Sequence, residues 1–191
     1  MNEQDDLLFR VIDRLDAAGI PYMVVGSYAS AAHGEPRSTN DADVVIDPTI
    51  EQLTAFLRSA EEREYVSESA ARDALRRRSM FNVIDTLAGA KVDLICRKEQ
   101  PFHVEEFERR SPRTVRGRQV FAASAEDTLL SKLVWAKRSD SERQIRDAAG
   151  IVRVSGPLLD REYLERWAEE LDVADELREL LAACEDAEGD A

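Results

Sequence analysis

The sequence contains few of the residues that build disulfide frameworks, zinc sites or membrane spans. Its 191 residues include two cysteines and two histidines, and Cys96 and Cys184 show no Cys-x-x-Cys spacing. Disulfide-rich secreted folds and cysteine or histidine zinc sites are therefore not predicted. The longest uncharged stretch, 17–34, is interrupted by glycine and proline, so it does not read as a membrane span. Because the acidic N-terminus also lacks a basic signal region, we expect a cytoplasmic protein without membrane contact.

Charge is abundant but unevenly distributed. The net charge is −13, yet the segment 160–191 alone carries 13 acidic residues and three arginines. The remaining 159 residues hold 26 acidic and 23 basic side chains, which is close to balance. Arginines cluster at 72–78 and 109–118, either as candidate phosphate contacts or as solvated faces. Overall acidity therefore does not exclude a nucleotide or nucleic-acid partner.

The hydrophobic pattern predicts an α+β fold. Apolar residues recur at helical spacing over 3–18 and, beyond Ser124, in four successive segments, where Trp135 and Trp167 fit packing faces. Short apolar runs between them predict strands at 22–25, 41–47, 80–85 and 91–96, with a further short hairpin at 113–122. Strands in the first two thirds and helices at the end suggest two domains, 1–122 and a helical subdomain 123–191.

Asp41 and Asp43 form an acidic pair at the start of a predicted strand. Strand alternation puts both on one face, opposite Ala42 and Val44. Carboxylates two residues apart lie about 6–7 Å from each other along a strand, and they repel unless a cation lies between them. Mg²⁺ is commonly held by one or two carboxylates plus substrate phosphates. The pair is therefore either a metal site or a solvent-facing pair on an edge strand.

Asp93 is an isolated acid inside the apolar strand 91–96. Such a charge is costly unless it is satisfied, so it lies either on the exposed face of a one-sided sheet or in a site. If this strand lies beside the Asp41 strand, the three carboxylates converge. Asp85, on the preceding strand, is a rival for the same role.

Gly26 and Ser27 mark a predicted strand-to-helix turn. Glycine permits close approach of the backbone to a ligand, and the N–H groups at a helix start favour phosphate. Most such pairs are ordinary turns, so both interpretations stay open.

Together, Val25-Gly26-Ser27, Asp41-Ala42-Asp43 and the distal Asp93 resemble the nucleotidyltransferase superfamily, whose members share a polymerase-beta-like palm. The stretch 26–43 is most similar to small stand-alone prokaryotic members, including transferases of abortive-infection and toxin–antitoxin systems. The resemblance covers roughly 20–150. It implies a nucleotidyltransferase-like core at 1–122, with a mixed β-sheet flanked by helices, followed by a C-terminal helical segment.

The resemblance also implies roles for these residues. Asp41, Asp43 and Asp93 would be the catalytic and metal-binding acids for two Mg²⁺ ions, one activating the attacking hydroxyl and one steadying pyrophosphate. Gly26 and Ser27 would contact the triphosphate.

Cations are also needed to neutralise a triphosphate, and the chain has four lysines against 22 arginines. Lys132 and Lys137 match a Lys-x₄-Lys/Arg element of abortive-infection-type transferases, and Asp147 matches part of a following acidic element in which Gln144 replaces the first acid. Each also fits an ordinary surface position. Arg37 is either a phosphate clamp or a structural partner of a nearby acid.

The resulting hypothesis is a Mg²⁺-dependent nucleotidyltransferase that moves a nucleoside monophosphate from an NTP to a hydroxyl group. The acceptor would be an RNA, a protein or a small molecule, and the enzyme would belong to a toxin–antitoxin or phage-defence system. The alternative is a catalytically inactive binding or regulatory partner with the same fold, using its acidic tail segment to bind a cognate toxin or antitoxin. A third possibility is an unrelated α+β domain with surface acids.

Overall fold

The structure is a computed structural model that describes residues 2–35 and 41–189. Its strands are β1 Tyr22–Val25, β2 Asp41–Ile46, β3 Glu64–Val66, β4 Met80–Asp85, β5 Lys91–Cys96, β6 Ser111–Val115 and β7 Arg118–Ala122. Its helices are α1 Glu3–Ala17, α2 Gly26–His33, α3 Ile50–Arg58, α4 Glu68–Arg77, α5 Pro101–Glu108, α6 Ala125–Ser139, α7 Glu142–Ser155, α8 Arg161–Glu170 and α9 Ala174–Gly189.

Within the described residues, the strands form one seven-stranded mixed sheet in the order β3-β4-β5-β2-β1-β7-β6. β2 and β5 are parallel neighbours, as are β1 and β7, and the other pairs are antiparallel. The α+β class predicted from the sequence is confirmed. The pairing of β2 with β5 meets the condition under which Asp93 converges with the first two acids.

The central strands present one apolar and one polar face. On β2, Ala42, Val44 and Ile46 are buried, whereas Asp41 is exposed and Asp43 is half-buried. The same alternation of burial continues on β4, whereas on β5 it is interrupted at Asp93, which is buried. The apolar face is covered by buried residues of α1, among them Leu8, Val11, Ile12 and Leu15. The acids of β2 therefore lie on the side of the sheet that the apolar core does not cover.

A buried ion-pair network, the arginine network, fixes α1 to β3 and β4. Arg14 donates to Glu64, and Arg10 contacts Glu64 at 3.3 Å and Asp85 at 2.7 Å. Arg63 adds a second bond to Asp85 at 2.6 Å. Pairing with several fixed donors satisfies the two buried carboxylates, which would otherwise be costly to bury.

The chain divides into two compact units. The first comprises the described residues within 1–28 and 38–122 and contains the sheet. The second comprises those within 29–37 and 123–191, where α6 packs on α7 and α9 packs on α6, α7 and α8. The division between domains that the sequence predicts, at 122/123, stays a prediction.

Most predicted elements have counterparts, with four differences. The sequence reading had no counterpart for β3, α5 or a short 3₁₀ turn at Gly156–Leu158. Trp167 is buried as expected, whereas Trp135 is 58% exposed, so its predicted packing role is wrong.

Across the described part of the chain, no helix has both the length and the apolar character needed to cross a membrane.

Candidate active site

Three aspartates lie on the polar face of the sheet. Asp43 on β2 is the register partner of Asp93 on β5, and Asp41 pairs with Lys91 at the start of both strands. Neighbouring strands are about 4.8 Å apart, and residues two apart on one strand share a face. The backbone therefore places the three acids side by side on one face, although they come from segments about fifty residues apart in the sequence.

Gly26 brings the start of α2 directly against Asp43. β1 ends at Val25, the antiparallel partner of Asp43, and α2 begins at the next residue. Gly26 has φ +62°, and a Cβ atom added there would overlap Asp43 Oδ2 and lie 3.2 Å from Asp43 Cγ. A residue with a side chain would therefore be strained and would displace the carboxylate. Ser27 follows as the second residue of α2, in the first turn that begins beside Asp43.

Both carboxylate oxygens of Asp93 accept hydrogen bonds. Asn82 Nδ2 donates to Oδ1, and Lys91 Nζ donates to Oδ2 at 2.9 Å. The Asp93 side chain is 11% exposed, whereas that of Lys91 is 39% exposed. The hydrogen bond to Asp93 raises the pKa of Lys91; burial opposes this, and the negative charges of Asp93, Asp41 and Asp43 add to it. Lys91 is therefore a cation whose ammonium group lies within the field of all three acids.

Gln4 of α1 holds the backbone of Lys91 in place. Its Nε2 donates to the Lys91 carbonyl oxygen at 2.7 Å, and its Oε1 accepts from the Lys91 N–H at 3.2 Å. Gln4 is buried. Since both backbone groups are satisfied, the start of β5 is anchored, and Lys91 projects from a fixed point.

The donor set suits a hard cation, because Asp41, Asp43 and Asp93 supply only carboxylate oxygens. Among residues 2–35 and 41–189, however, no group of three or more histidine, cysteine, aspartate or glutamate side chains is arranged to hold a metal ion. With Lys91 and Asn82 on the two oxygens of Asp93, that carboxylate would bind a metal ion only after one of these bonds is released. Asp41 and Asp43 supply the other two carboxylates on this face of the sheet.

Asp85, the rival acid in the sequence, has a structural role. It lies on the opposite, apolar face of β4 and is fully buried in the arginine network. Burial by itself would raise its pKa, but hydrogen bonds from the N–H of Ala88, from Arg63, from the N–H of Leu87 and from Arg10 lower it to about 2. A carboxylate held by this many fixed donors does not serve as a proton acceptor or an exchangeable metal ligand.

The predicted lysine element divides between two environments. Lys132 on α6 is buried and donates to Asp147 on α7 at 2.7 Å, so these two predicted residues meet in the second unit. Lys137 is partly exposed and pairs instead with Asp172 and Glu176, at 3.1 and 3.2 Å. Arg37 lies outside the described residues.

Many members of the arginine clusters have acidic partners within this chain. Arg72 pairs with Glu68, Arg76 and Arg77 pair with Asp73, and Arg118 pairs with Asp13. These pairings favour the solvated-face interpretation of the clusters over a continuous nucleic-acid surface.

Sequence reasoning missed Lys91, Asn82 and Gln4. One signal was available for Lys91, because it stands two residues before Asp93 and therefore shares its face of the strand. Asn82 and Gln4 carried no such signal, since their contacts depend on which strands and helix become neighbours.

No family model and no curated protein sequence matches this chain. Solved structures do resemble it. One is the solution structure of the antibiotic-resistance factor ANT(2'')-Ia, at 15% identity and TM-score 0.53 over 97% of each chain. Another is a crystal structure of ANT(2'')-Ia in complex with adenylyl-2''-tobramycin, at 16% identity and TM-score 0.57 over 97% of this chain and 99% of that one. A third is an antigenic nucleotidyltransferase-like protein from Paracoccidioides brasiliensis, at 18% identity and TM-score 0.56 over 95% of this chain and 93% of that one. The chain therefore has the nucleotidyltransferase fold, as its motifs indicated.

Proposed function

We propose that this protein is a Mg²⁺-dependent nucleotidyltransferase that transfers a nucleoside monophosphate from an NTP to a hydroxyl acceptor. The observation that carries the proposal is the meeting of Asp43, Asp93 and the Gly26 helix start on one face of the sheet. The nucleotidyltransferase fold supports it. Surface acids scattered over an unrelated α+β domain would have no reason to share this register.

The residues of the chain divide the work between holding a cation and orienting phosphates. Asp41 and Asp43 would hold the metal ion that grips the triphosphate, and Asp93 would attract the proton of the attacking hydroxyl or complete a second metal site. The backbone N–H groups at the start of α2 and the Ser27 hydroxyl would donate to phosphate oxygens. Gly26, by lacking a side chain, keeps Asp43 within reach of the same phosphates.

Mg²⁺, when bound, supplies neutralisation of the phosphate charge and activation of the hydroxyl nucleophile. The carboxylate-only donor set fits this ion better than zinc or copper, which prefer nitrogen or sulfur ligands. Neither cysteine competes as a nucleophile, because both are buried and burial raises the pKa of the Cys96 thiol to about 11.

The buried Lys132–Asp147 pair is proposed as the second contribution to nucleotide binding. A buried ion pair on two packed helices is expensive and is retained when its geometry is useful. We propose that the acceptor is a hydroxyl group of an RNA, a protein or a small molecule. We also propose a cytoplasmic role in a toxin–antitoxin or phage-defence system. One structural neighbour is a complex with an adenylylated small molecule, adenylyl-2''-tobramycin.

A catalytically inactive partner protein is the second candidate, favoured by one observation. Both oxygens of Asp93 are engaged by Asn82 and Lys91, which is an arrangement that a purely structural acid would also show. In that case the acidic segment from Asp160 onward would be the functional surface, binding a basic partner.

The test is nucleotide transfer by wild type and by Asp43→Asn, with each of four α-³²P-labelled NTPs, Mg²⁺ and cell extract. We expect wild type to label an acceptor and Asp43→Asn to lose at least about 10³-fold of the rate, since a ligand of the transition-state cation is lost. The matched control is Asp73→Asn, an aspartate on helix α4 that pairs with Arg76 and Arg77 of the same helix. Equal labelling by wild type and Asp43→Asn would contradict the proposal, and an inactive wild type that still binds a basic partner would favour the second candidate.

A further inference from the structure

Lys91 is a cation that lies beside Asp93 when no metal ion is bound. Its ammonium group lies 2.9 Å from Asp93 Oδ2, and its register partner on β2 is Asp41. It therefore stands on the same face as all three acids.

The two partners of Asp93 differ in how easily they can leave. Asn82 is its register partner on β4, and its side chain lies on the same face of the sheet. Lys91 has a flexible four-carbon stem and a side chain that is 39% exposed. A lysine carries three donors on a compact charge, and it can exchange a carboxylate for a phosphate by rotating its stem. Lys91 is therefore the partner that can move.

The backbone of Lys91 stays in place during such an exchange, because Gln4 bonds both its N–H and its carbonyl oxygen. Only the side chain needs to move. The stem can swing over its register partner Asp41, one of the two acids that the proposed function assigns to the metal ion holding the triphosphate.

Resting on the proposed function, we propose that Lys91 competes with the metal ion for Asp93 and, once displaced, donates to the phosphates of the nucleotide. Lys91 is then an internal counter-ion that keeps the acids together in the empty protein. Metal and nucleotide binding become coupled, because the metal displaces a cation that the nucleotide's phosphates can accept.

The experiment measures binding rather than turnover. Mn²⁺ binding without nucleotide is titrated by electron paramagnetic resonance, and binding of inorganic tripolyphosphate in the presence of Mn²⁺ is measured by calorimetry. We expect Lys91→Met to bind Mn²⁺ about 10-fold more tightly than wild type, because a competitor is removed. The same variant should bind tripolyphosphate about 10-fold more weakly, because a charged donor is lost.

Two further variants keep the test sharp. Lys98→Met removes an exposed lysine just beyond β5 and should change neither affinity. Lys91→Gln, a polar replacement, is the second variant in case Lys91→Met folds poorly, and thermal melts in chelator and in Mn²⁺ should show a larger metal-induced rise for both Lys91 variants than for wild type.

Unchanged or weaker Mn²⁺ binding in folded Lys91→Met would overturn the competition. Tighter Mn²⁺ binding with unchanged tripolyphosphate binding would overturn the phosphate contact. Asp43→Asn in the same titration separates this inference from the proposed function: if wild type and Asp43→Asn bind Mn²⁺ equally, the metal site itself is refuted, whatever Lys91 does.

Discussion

Both faces of the sheet carry acidic side chains, but the hydrogen-bond partners of these side chains differ between the two faces. On the apolar face, Asp85 is fully buried and bonded to Arg10, Arg63 and two backbone N–H groups of the β4–β5 turn. On the polar face, Asp93 is bonded to a flexible lysine and a side-chain amide. Several donors, two of them fixed in the backbone, make Asp85 part of the folded structure, whereas under the proposed function an exchangeable donor would leave Asp93 available for a ligand. The kind of cation beside an acid, more than its burial, distinguishes the two roles.

The largest expected difference is in the free energy of unfolding when Asp85 and Asp93 are each replaced by asparagine. Asp85→Asn should lower the free energy of unfolding by about 3 kcal/mol or more, because it breaks the ion pairs that a fully buried carboxylate forms with Arg10 and Arg63. Asp93→Asn should change it by less than about 1 kcal/mol, since loss of the lysine pair is offset by relief of repulsion with Asp43. Urea denaturation measures both values. Equal losses in the two variants would remove the distinction between the faces.

Gly26 offers the second test, on the polar face. Gly26→Ala and Gly89→Ala both put a side chain at positive φ, +62° and +71°, but nothing lies within 4 Å of a Cβ atom at Gly89. Each should therefore cost about 1 kcal/mol of stability. Only Gly26→Ala should also lower nucleotide transfer, by about 10²-fold, because it displaces Asp43. If the two variants transfer nucleotide equally well, the contact between Gly26 and Asp43 has no role in catalysis.

The third test is the pH dependence of the stability that Asp85 contributes, and the expected effect is smaller than that of the two substitutions above. The pKa of Asp85 is lowered from 3.8 to about 2, so its contribution to stability is complete above about pH 4 and is lost as the pH falls towards 2. The difference in urea midpoint between wild type and Asp85→Asn should therefore be constant from pH 6 to 5 and shrink between pH 4 and 2. A difference that stays constant down to pH 2 would contradict the lowered pKa.

The smallest expected effect on stability and transfer rate comes from removing the hydrogen bonds that Gln4 makes to the backbone of Lys91. Gln4→Ala removes two hydrogen bonds to its backbone, which should cost about 1–2 kcal/mol in unfolding free energy and less than about 10-fold in transfer rate. Gln100→Ala is the control, because Gln100 is exposed and its side chain forms no helix-capping bond. Identical stability and KM for the two variants would show that α1 does not position Lys91.

Local chemistry explains which elements were predictable. The apolar runs at 22–25, 41–47, 80–85 and 91–96 mark strands from nearby residues alone, and the structure has a strand at each of them. β3 escaped prediction because it has three residues and turns a glutamate inward, which only the arginines of α1 make tolerable. α5 begins at Pro101 and carries too few apolar residues at helical spacing to be recognised.

The candidate site shows the same division. Val25-Gly26-Ser27 and Asp41-Ala42-Asp43 are short-range patterns, and their resemblance to the motifs of the nucleotidyltransferase superfamily implied its fold. Which of Asp85 and Asp93 joins them was open, because strand alternation gives each residue a face but not the identity of that face. Asn82 and Gln4 entered only through strand order and helix packing, whereas the spacing of Lys91 from Asp93 on one strand was visible in the sequence.

Periodicity, capping and turn chemistry act over a few residues, so the chain by itself determined the elements, the α+β class and the acidic motif at the start of β2. Tertiary structure decided that β5 pairs in parallel with β2, that Asp85 faces the arginines of α1, and that Asn82 of β4 donates to Asp93. These outcomes join segments separated by up to about eighty residues, and their free energy comes from burial and ion pairing that exist only once the sheet has formed.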